Sequence, residues 1–248
     1  MTKRLYLFVC VAVCVAVVFI RLGFWQLHRL EQRRRRNALV AARIAEPVAA
    51  LTALPADSTS RLRRARVTGR PDYEHELVLA PRSFEGSPGV NLVTPLHIPG
   101  RDTAVLVNRG WAYAPDGLTV DRSRWHERDS TFVGYAEIAA AEEGTAGSAV
   151  LRDDPHLLRR LDYAAASRAL PYPVSPVYLV ATEPDSATPA DARLARLPPP
   201  TIDEGPHLGY AVQWFSFAAI ALVGAGVVVG RALAAERARE GNGRLAPW

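Results

Sequence analysis

Cysteine, lysine and catalytic motifs are scarce in this sequence, and each scarcity removes a class of protein. Two cysteines in 248 residues exclude a disulfide-rich secreted scaffold and a zinc site with four cysteine ligands. Lys3 is the only lysine among 30 basic residues, and this arginine bias is typical of a GC-rich bacterial genome. The chain has no phosphate-binding loop, no nucleophile elbow, no zincin helix and no paired C-x-x-C, so no local motif indicates an enzyme.

The positive charge is spread along the chain. The formal net charge is +5, but the arginines are scattered rather than striped with aromatic residues. That distribution argues against a nucleic-acid partner.

Hydrophobic residues, 49% of the chain, concentrate near its two ends. One apolar run covers 5–20 with an apolar trend to Leu27, and the other covers 208–230. Because a bilayer core needs about 20 helical residues, we predict transmembrane helices over 1–27 and 207–231. The first run is longer than a signal-peptide core and lacks a small-x-small cleavage site, which indicates an uncleaved anchor.

Charges beside the second span predict the topology. Arg231 and Arg237 follow it, whereas Asp203 and Glu204 precede it, so the positive-inside rule puts the tail, 232–248, in the cytoplasm. Two spans then place both termini there and the middle segment in the periplasm of a bacterial inner-membrane protein. The run 33–36 points the other way, but long loops cross largely regardless of charge. We expect phospholipid head groups to offset that run at the membrane surface.

The segment between the spans predicts a short helical continuation and a β domain. Residues 28–60 should form a juxtamembrane helix that ends at Pro47, followed by a linker rich in Pro, Ala and Ser. Residues 61–206 should form a mainly antiparallel, barrel- or sandwich-like domain of α+β type. Short apolar runs bounded by turn residues predict strands over 65–68, 76–80, 89–98, 103–108, 131–138 and 177–181, and helical spacing predicts a helix over 154–170.

His207, directly before the second span, is the leading candidate for a ligand. A neutral imidazole coordinates metal or haem iron, and Tyr210, Trp214 and Phe217 follow at helical spacing to wall a flat molecule. The alternative is an interfacial aromatic belt, where Trp and Tyr are enriched in any case.

Three further patterns have both a chemical and a structural interpretation. Cys10 and Cys14 share a helix face and could bind Cu(I), or they are small apolar fillers. The tetrad 73–76 (Tyr-Glu-His-Glu) could supply metal ligands, or it alternates along an exposed strand edge. Ala218, Gly226 and Gly230 form a small-residue face for packing the two spans together or for homodimerisation.

Four blocks in order resemble the Surfeit locus protein 1 family. They are Gly-Phe-Trp-Gln-Leu-His-Arg-Leu at 23–30, Leu-Ala-Pro-Arg at 79–82 with the segments 86–89 and 94–96, Val-Leu-Val-Asn-Arg-Gly-Trp at 105–111, and His-Leu-Gly-Tyr-Ala-Val-Gln-Trp-Phe at 207–215. The family usually has Trp-Lys soon after the first block, whereas Glu-Gln-Arg stands at 31–33 here.

The resemblance implies an assembly factor for haem–copper cytochrome c oxidase, not an enzyme. It implies haem a as cofactor, His207 as ligand of the haem iron, and oxidase subunit I as partner, with haem a synthase as a second partner. Trp25, Tyr210 and Trp214 would line the pocket, and His28 is a candidate second ligand. Arg109 and Trp111 would contact a haem propionate, hold the domain against the membrane, or serve the fold alone, with Gly110 in a turn or bulge. The alternatives are a haem-free scaffold for subunit I and a periplasmic enzyme on a membrane hairpin.

Overall fold

The chain divides into two compact units. The structure, a computed structural model, describes residues 3–128, 130–139, 150–152, 154–183 and 193–243, with backbone alone for 239–243. One unit comprises residues 1–39 and 202–248, and the other comprises residues 40–201. We call them the hairpin unit and the sheet unit.

Two long helices form the hairpin unit, as predicted. The described residues contain three α-helices: α1 (Lys3–Ala45), α2 (Tyr163–Ala169) and α3 (His207–Gly243). Helices α1 and α3 are each long and apolar enough to cross a membrane. Helix α1 continues past its apolar run and ends two residues before Pro47, whose ring is incompatible with a helix interior.

Residues at a spacing of seven, most of them small, pack α1 against α3. Buried at this spacing are Ala16, Gly23 and Leu30 on α1 and Ala211, Ala218 and Ala225 on α3, and Gln26 of α1 is buried between Gly23 and Leu30. This heptad spacing keeps one face of each helix against its neighbour. A Cβ at Gly23 would lie 2.7 Å from the ring of Phe215, so only glycine fits there without a shift of the ring.

The glycine pair of α3 does not pack the spans together. A Cβ at Gly226 or Gly230 would meet no described atom within 4 Å. Of the predicted small-residue face, only Ala218 is buried. The alanines at a spacing of seven take the role that we expected of the two glycines.

The sheet unit is a single mixed sheet with one short helix, which confirms the predicted α+β domain. Its strands are β1 (Ala49–Ala50), β2 (Arg64–Thr68), β3 (Arg70–Pro71), β4 (Leu77–Phe84), β5 (Ser87–His97), β6 (Val105–Tyr113), β7 (Thr131–Ile138), β8 (Val150–Leu151), β9 (Asp154–Leu158) and β10 (Val177–Ala181). Their order is β1-β2-β7-β10-β6-β5-β4-β9-β8, and β3 pairs with β5. Pairings β1/β2, β10/β6 and β4/β9 are parallel, and the others are antiparallel.

Strand β6 is buried on both faces, as its continuous apolar run predicts. Val105 and Val107 belong to one core cluster, and Leu106 belongs to another. Alternate residues of a strand point to opposite faces, so β6 separates two layers of apolar packing.

The predicted helix over 154–170 is wrong in its first half. Residues Asp154–Leu158 form strand β9, and α2 begins at Tyr163 with Asp162 as its N-cap. Leu157 and Leu158 lie in different core clusters. A strand buried on both faces carries consecutive leucines, which match helical spacing equally well.

The predicted linker belongs to the folded sheet unit. Within 47–60 lie strand β1 and the 3₁₀ turns Leu51–Ala53 and Ser58–Ser60. Leu51 is buried in the core and the Ser60 hydroxyl donates to the carbonyl of Pro55. Proline and alanine composition alone indicated a linker, but the tertiary contacts of Leu51 override it.

Candidate functional site

His207 is held by a hydrogen bond across the hairpin unit. Its Nδ1 lies 2.8 Å from Oε1 of Gln26 on α1. Gln26 is buried, and His207 is half-buried at the first position of α3. The amide oxygen can only accept a hydrogen bond, so Nδ1 donates it, and in the neutral imidazole Nε2 then presents a lone pair. A histidine ligand that donates its other N–H in this way has a fixed tautomer and ring orientation.

The segment before α3 is fastened to α1 by charge. Arg34 donates from Nε and Nη2 to the two carboxylate oxygens of Glu204, each at 2.8 Å. Arg33 and the Asn37 amide donate to the carbonyl oxygen of Asp203. The hydrogen bond and charge of Arg34 lower the pKa of Glu204. Part of the arginine run is therefore paired with carboxylates of its own chain, in addition to any head groups that it meets.

A glycine turn leads from this anchored segment into His207. Gly205 has φ +68 and donates its N–H to Oδ1 of Asp203 at 2.7 Å. That conformation favours glycine because other L-residues are strained there. A Cβ at position 205 would lie 3.5 Å from Cδ2 and 3.7 Å from Nε2 of His207. A side chain at position 205 would therefore lie in van der Waals contact with the Nε2 side of the imidazole.

The aromatic residues that we expected to wall a flat ligand beside His207 do not all lie there. The ring of Trp214 stacks on Phe19 of α1 with centroids 5.6 Å apart, so Trp214 packs the hairpin. Tyr210 is 47% exposed, and Trp25 is 53% exposed. Trp25 precedes Gln26 and therefore points about 100° away from it around α1.

His28 does not converge with His207. Positions 26 and 28 differ by roughly 200° around a helix, so His28 lies on the other side of α1 from Gln26. Its Nε2 is 2.9 Å from the amide nitrogen of Gln32. The structure therefore does not bring together the two histidines that we considered as a ligand pair.

The two cysteines lie outside the packed face of α1. Cys10 and Cys14 are both free and exposed on this helix. In the part of the chain that the structure describes, no group of three or more His, Cys, Asp or Glu side chains could hold a metal ion.

Arg109 lies in the interior of the sheet unit. Its Nη2 donates to Glu76 at 2.5 Å, its Nε to Thr94 at 2.6 Å and its Nη1 to the carbonyl of Trp125 at 2.5 Å. The carboxylate of Glu127 is 3.7 Å from Nη1. Every guanidinium nitrogen is thus used within the unit, and the side chain is fully buried. Of the three roles considered for Arg109, this geometry supports the structural one.

A second arginine completes the buried charge cluster. Arg196 donates to Glu127 at 2.8 Å and to the carbonyl oxygen of Arg109. Two arginines therefore balance the two glutamates, Glu76 and Glu127, inside the unit. Buried charges persist only when they are paired and hydrogen-bonded.

A β-bulge turns Arg109 inward. Strand β5 pairs Leu92 with Gly110 and Val93 with Asn108, so Arg109 is the extra residue on β6. A bulge re-aims a side chain relative to the regular alternation of a strand. Gly110 has φ +136, a conformation that requires glycine, which agrees with the predicted turn or bulge at this position.

Trp111 also serves the sheet unit. Its backbone exchanges two hydrogen bonds with Ala195, at 2.8 and 2.9 Å. Its half-buried ring packs near Phe84 and Tyr113, with centroids 5.6 and 6.3 Å away.

The tetrad 73–76 is not an exposed edge. Glu76 is fully buried against Arg109, and the Tyr73 hydroxyl donates to the carbonyl of Glu127 at 2.8 Å. His75 bonds Asp72 through Nδ1 at 2.9 Å. The alternating polar residues predicted a solvent-exposed edge. Glu76 is buried instead because Arg109, 33 residues away, pairs with it.

Comparison with known proteins supplies the family. Residues 13–219 match the SURF1 family. The chain is 25% identical over 208 residues to a SURF1-like protein of Rickettsia felis, covering 81% of this chain and 87% of that protein. It is 32% identical over 108 residues to a SURF1-like protein of Monosiga brevicollis, covering 39% of this chain and 41% of that protein. It is 31% identical over 107 residues to Surfeit locus protein 1 of Takifugu rubripes, covering 36% and 44%.

The family match covers most of the chain, whereas the matched part spans about two fifths of the last two relatives. The match begins within α1 and ends within α3, so it includes Gln26, Arg109 and His207. The chain therefore belongs to the SURF1 family, whose members are known as cytochrome oxidase assembly factors.

Proposed function

We propose that this protein assists assembly of haem–copper cytochrome c oxidase by holding haem a for the catalytic subunit, subunit I. The observation that carries the proposal is the hydrogen bond between His207 and Gln26 at the entrance of α3. Family membership supports the assembly role. Haem a synthase is the expected source of the group and subunit I is the expected acceptor, and the protein itself is not an enzyme.

The residues at this site fit a haem ligand. His207 would hold the iron through Nε2, because Nδ1 is bonded to Gln26. Gly205 places no side chain beside Nε2, where a Cβ would lie 3.7 Å away. Haem a, when bound, would supply an iron that takes an imidazole nitrogen as ligand, and a strong absorption band. Gln26 fixes the tautomer, and the contacts of Asp203 and Glu204 hold the start of α3 against α1.

The proposed setting is a bacterial inner membrane. Helices α1 and α3 would cross it, with both termini in the cytoplasm and the sheet unit in the periplasm. The apolar composition of both helices supports the two spans, and the arginines after α3 support the orientation.

A haem-free scaffold for subunit I is the second candidate. The placement of the aromatic residues favours it, since Trp214 packs on Phe19 and Trp25 points away from Gln26. This alternative predicts the same partner and a colourless protein.

An absorption spectrum distinguishes the two. We expect the detergent-purified protein, from a host that makes haem a, to show a Soret band that His207→Ala removes. The matched control is His28→Ala, which removes an exposed imidazole on α1 and should leave the band unchanged. A colourless wild-type protein from a host that demonstrably makes haem a would refute haem binding and leave the scaffold.

Gln26 offers a sharper version of the experiment. Gln26→Leu removes the acceptor and should shift the band and weaken haem retention by about tenfold, whereas Gln26→Glu keeps an acceptor and should retain haem. Equal spectra for all three proteins would show that Gln26 does not orient the ligand.

A further inference from the structure

A polar cavity of about 440 Å³ lies on one face of the sheet unit. Five neighbouring strands supply its floor, in the order β7, β10, β6, β5 and β4. Register places Tyr178 beside Glu137, and Val180 beside Tyr135 and Asn108. The cavity volume is within the usual range for small-molecule sites, about 300–1,000 Å³.

Two of the family-like blocks meet in this cavity. Arg82 comes from the block 79–82 and Asn108 from the block 105–111. Haem binding at His207 uses neither residue, because His207 belongs to the hairpin unit. The cavity therefore calls for an explanation of its own.

Positive charge dominates the cavity. Arg61, Arg82 and Arg160 line it, together with one carboxylate, Glu137. Arg82 is fixed in place because its two terminal nitrogens donate to the carbonyls of Pro81 and Arg159, at 2.8 and 2.9 Å. Burial lowers the pKa of Arg82, but an arginine stays charged at physiological pH.

Two of these arginines already have a carboxylate partner. Arg61 bonds Glu137 through Nε at 2.9 Å. Nη2 of Arg160 lies 3.8 Å from Oδ2 of Asp162. The charge of Arg82 is therefore in excess of these two pairs, and this excess suits an anion. Arginine is the side chain best matched to phosphate oxygens.

Two buried polar atoms of the cavity lack partners. Asn91 is only 6% exposed, and its Oδ1 accepts no hydrogen bond from the residues that the structure describes. Within the same described ranges, the buried Nε of Arg160 donates to no acceptor. Buried polar groups are satisfied in the great majority of cases, so a ligand that both donates and accepts would complete this cavity.

The phenols of the cavity are uncharged. Burial, followed by the charge of Glu137, raises the pKa of Tyr135 to about 12 and also raises the pKa of Tyr178. Each hydroxyl therefore keeps its proton and can donate a hydrogen bond.

We propose that this cavity binds an anionic phosphate ester that carries a free hydroxyl, a glycerol phosphate group. The phosphate lies against Arg82 and Arg160, and the hydroxyl donates to Asn91. Two sources carry that group: free glycerol phosphate and the head group of phosphatidylglycerol. Leu79, Leu161 and Leu197 line the rest of the cavity and suit the carbon skeleton of either source.

Calorimetric titration of the purified full chain with sn-glycerol 3-phosphate tests the free source. We expect binding that Arg82→Gln weakens by about tenfold, the effect of losing one charge-assisted contact. The matched control is Arg101→Gln, which removes the same charge from an exposed turn outside the cavity and should leave binding unchanged.

Native mass spectrometry tests the lipid source. The wild-type protein from phosphatidylglycerol bilayers should retain one lipid that Arg82→Gln loses and Arg101→Gln keeps. Phosphatidylcholine, which has no free hydroxyl and no net charge, should not be retained.

A gain-of-binding variant guards against misfolding. Glu137→Gln removes the one carboxylate and should tighten binding of the retained source by about threefold or more, which a misfolded protein cannot do. Either source that depends on Arg82 and Glu137 in these directions supports the proposal. Absence of binding from both, or equal binding in Arg82→Gln and wild type, overturns it.

Discussion

The hairpin unit and the sheet unit use charge in opposite ways. In the hairpin unit the ion pairs of Arg33 and Arg34 are about half exposed, and a part-buried hydrogen bond joins the amide of Gln26 to the imidazole of His207. In the sheet unit, by contrast, Arg109 and its carboxylate partners are fully buried. Exposed pairs contribute little free energy, whereas a buried charge that loses its partner is costly. The exposed pairs therefore hold the start of α3 against α1 with little gain in stability, whereas the sheet unit depends on its buried charges staying paired.

Replacement of the central arginine should have the largest effect. Arg109→Met leaves Glu76 and Glu127 buried beside an apolar side chain, and we expect a loss of about 3–5 kcal/mol in the free energy of unfolding. Urea denaturation of the detergent-solubilised full chain, followed by tryptophan fluorescence, measures it. Arg101→Met, at an exposed turn, is the control. A loss below about 1 kcal/mol would show that the buried cluster does not stabilise the sheet unit.

Disruption of the apolar packing in the hairpin unit should cause the second-largest loss of stability. Gly23→Leu forces a side chain into the ring of Phe215 and should cost about 1–3 kcal/mol by overpacking. Gly226→Leu makes the same change where a Cβ meets no described atom, and should cost little. Each variant is heated in steps, and the loss of haem binding, or of cross-linking between α1 and α3, is followed. The temperature of this loss compares the stability of the two variants. Equal stability of the two variants would contradict the packed face that we assign to α1.

The carboxylate of Asp72 gives the sheet unit a dependence on pH. Burial alone would raise its pKa, but hydrogen bonds from Tyr172 and His75 outweigh burial and lower it from 3.8 to about 2. Its stabilisation is therefore present above pH 3.8 and is lost as the pH falls towards 2.

Asp72→Asn should cost about 1.5–3 kcal/mol at pH 7, the usual contribution of hydrogen bonds to a charged group. The difference between variant and wild type should shrink as the pH falls from 3.8 to about 2. Denaturation curves at several pH values measure it. Tyr172→Phe serves as control because it removes one hydrogen bond and keeps the carboxylate. A difference that does not change with pH would show that the charge of Asp72 is not the cause.

Removal of an exposed ion pair should have the smallest effect. Arg34→Gln breaks the paired hydrogen bonds to Glu204, and exposed pairs contribute about 0–1 kcal/mol. A double-mutant cycle with Glu204→Gln isolates the interaction, and high salt should abolish it. A coupling free energy above about 2 kcal/mol would show that this exposed pair stabilises the protein as strongly as the buried cluster does. The two units would then not differ in their use of charge.

Much of the fold follows from local patterns. The two apolar runs gave both long helices, and strands β7 and β10 have the predicted bounds. Strand β6 was predicted to end at residue 108, but it continues to Tyr113. A charged residue and a glycine at 109–110 are typical of the end of a strand. The sequence does not reveal that a bulge will carry Arg109 inward and let the strand continue.

The candidate site was only half visible in the sequence. His207 stands out at the start of an apolar run, but Gln26 lies 181 residues earlier. A polar amide beside a long apolar run is a signal that a partner exists, although it does not say which. Glu127, Arg196 and Asn91 carry no local signal, since each depends on partners from distant strands or loops.

The sequence by itself determined the two apolar helices, the β-rich segment between them and the residues of the family blocks, because hydropathy, periodicity and residue order are properties of short segments. The tertiary structure alone decided that Arg109 is buried, that alanines rather than glycines pack α3, that Trp214 stacks on Phe19, and that three arginines line one cavity. Each of these depends on which residues distant in the chain become neighbours, and burial and pairing energies are set by those neighbours.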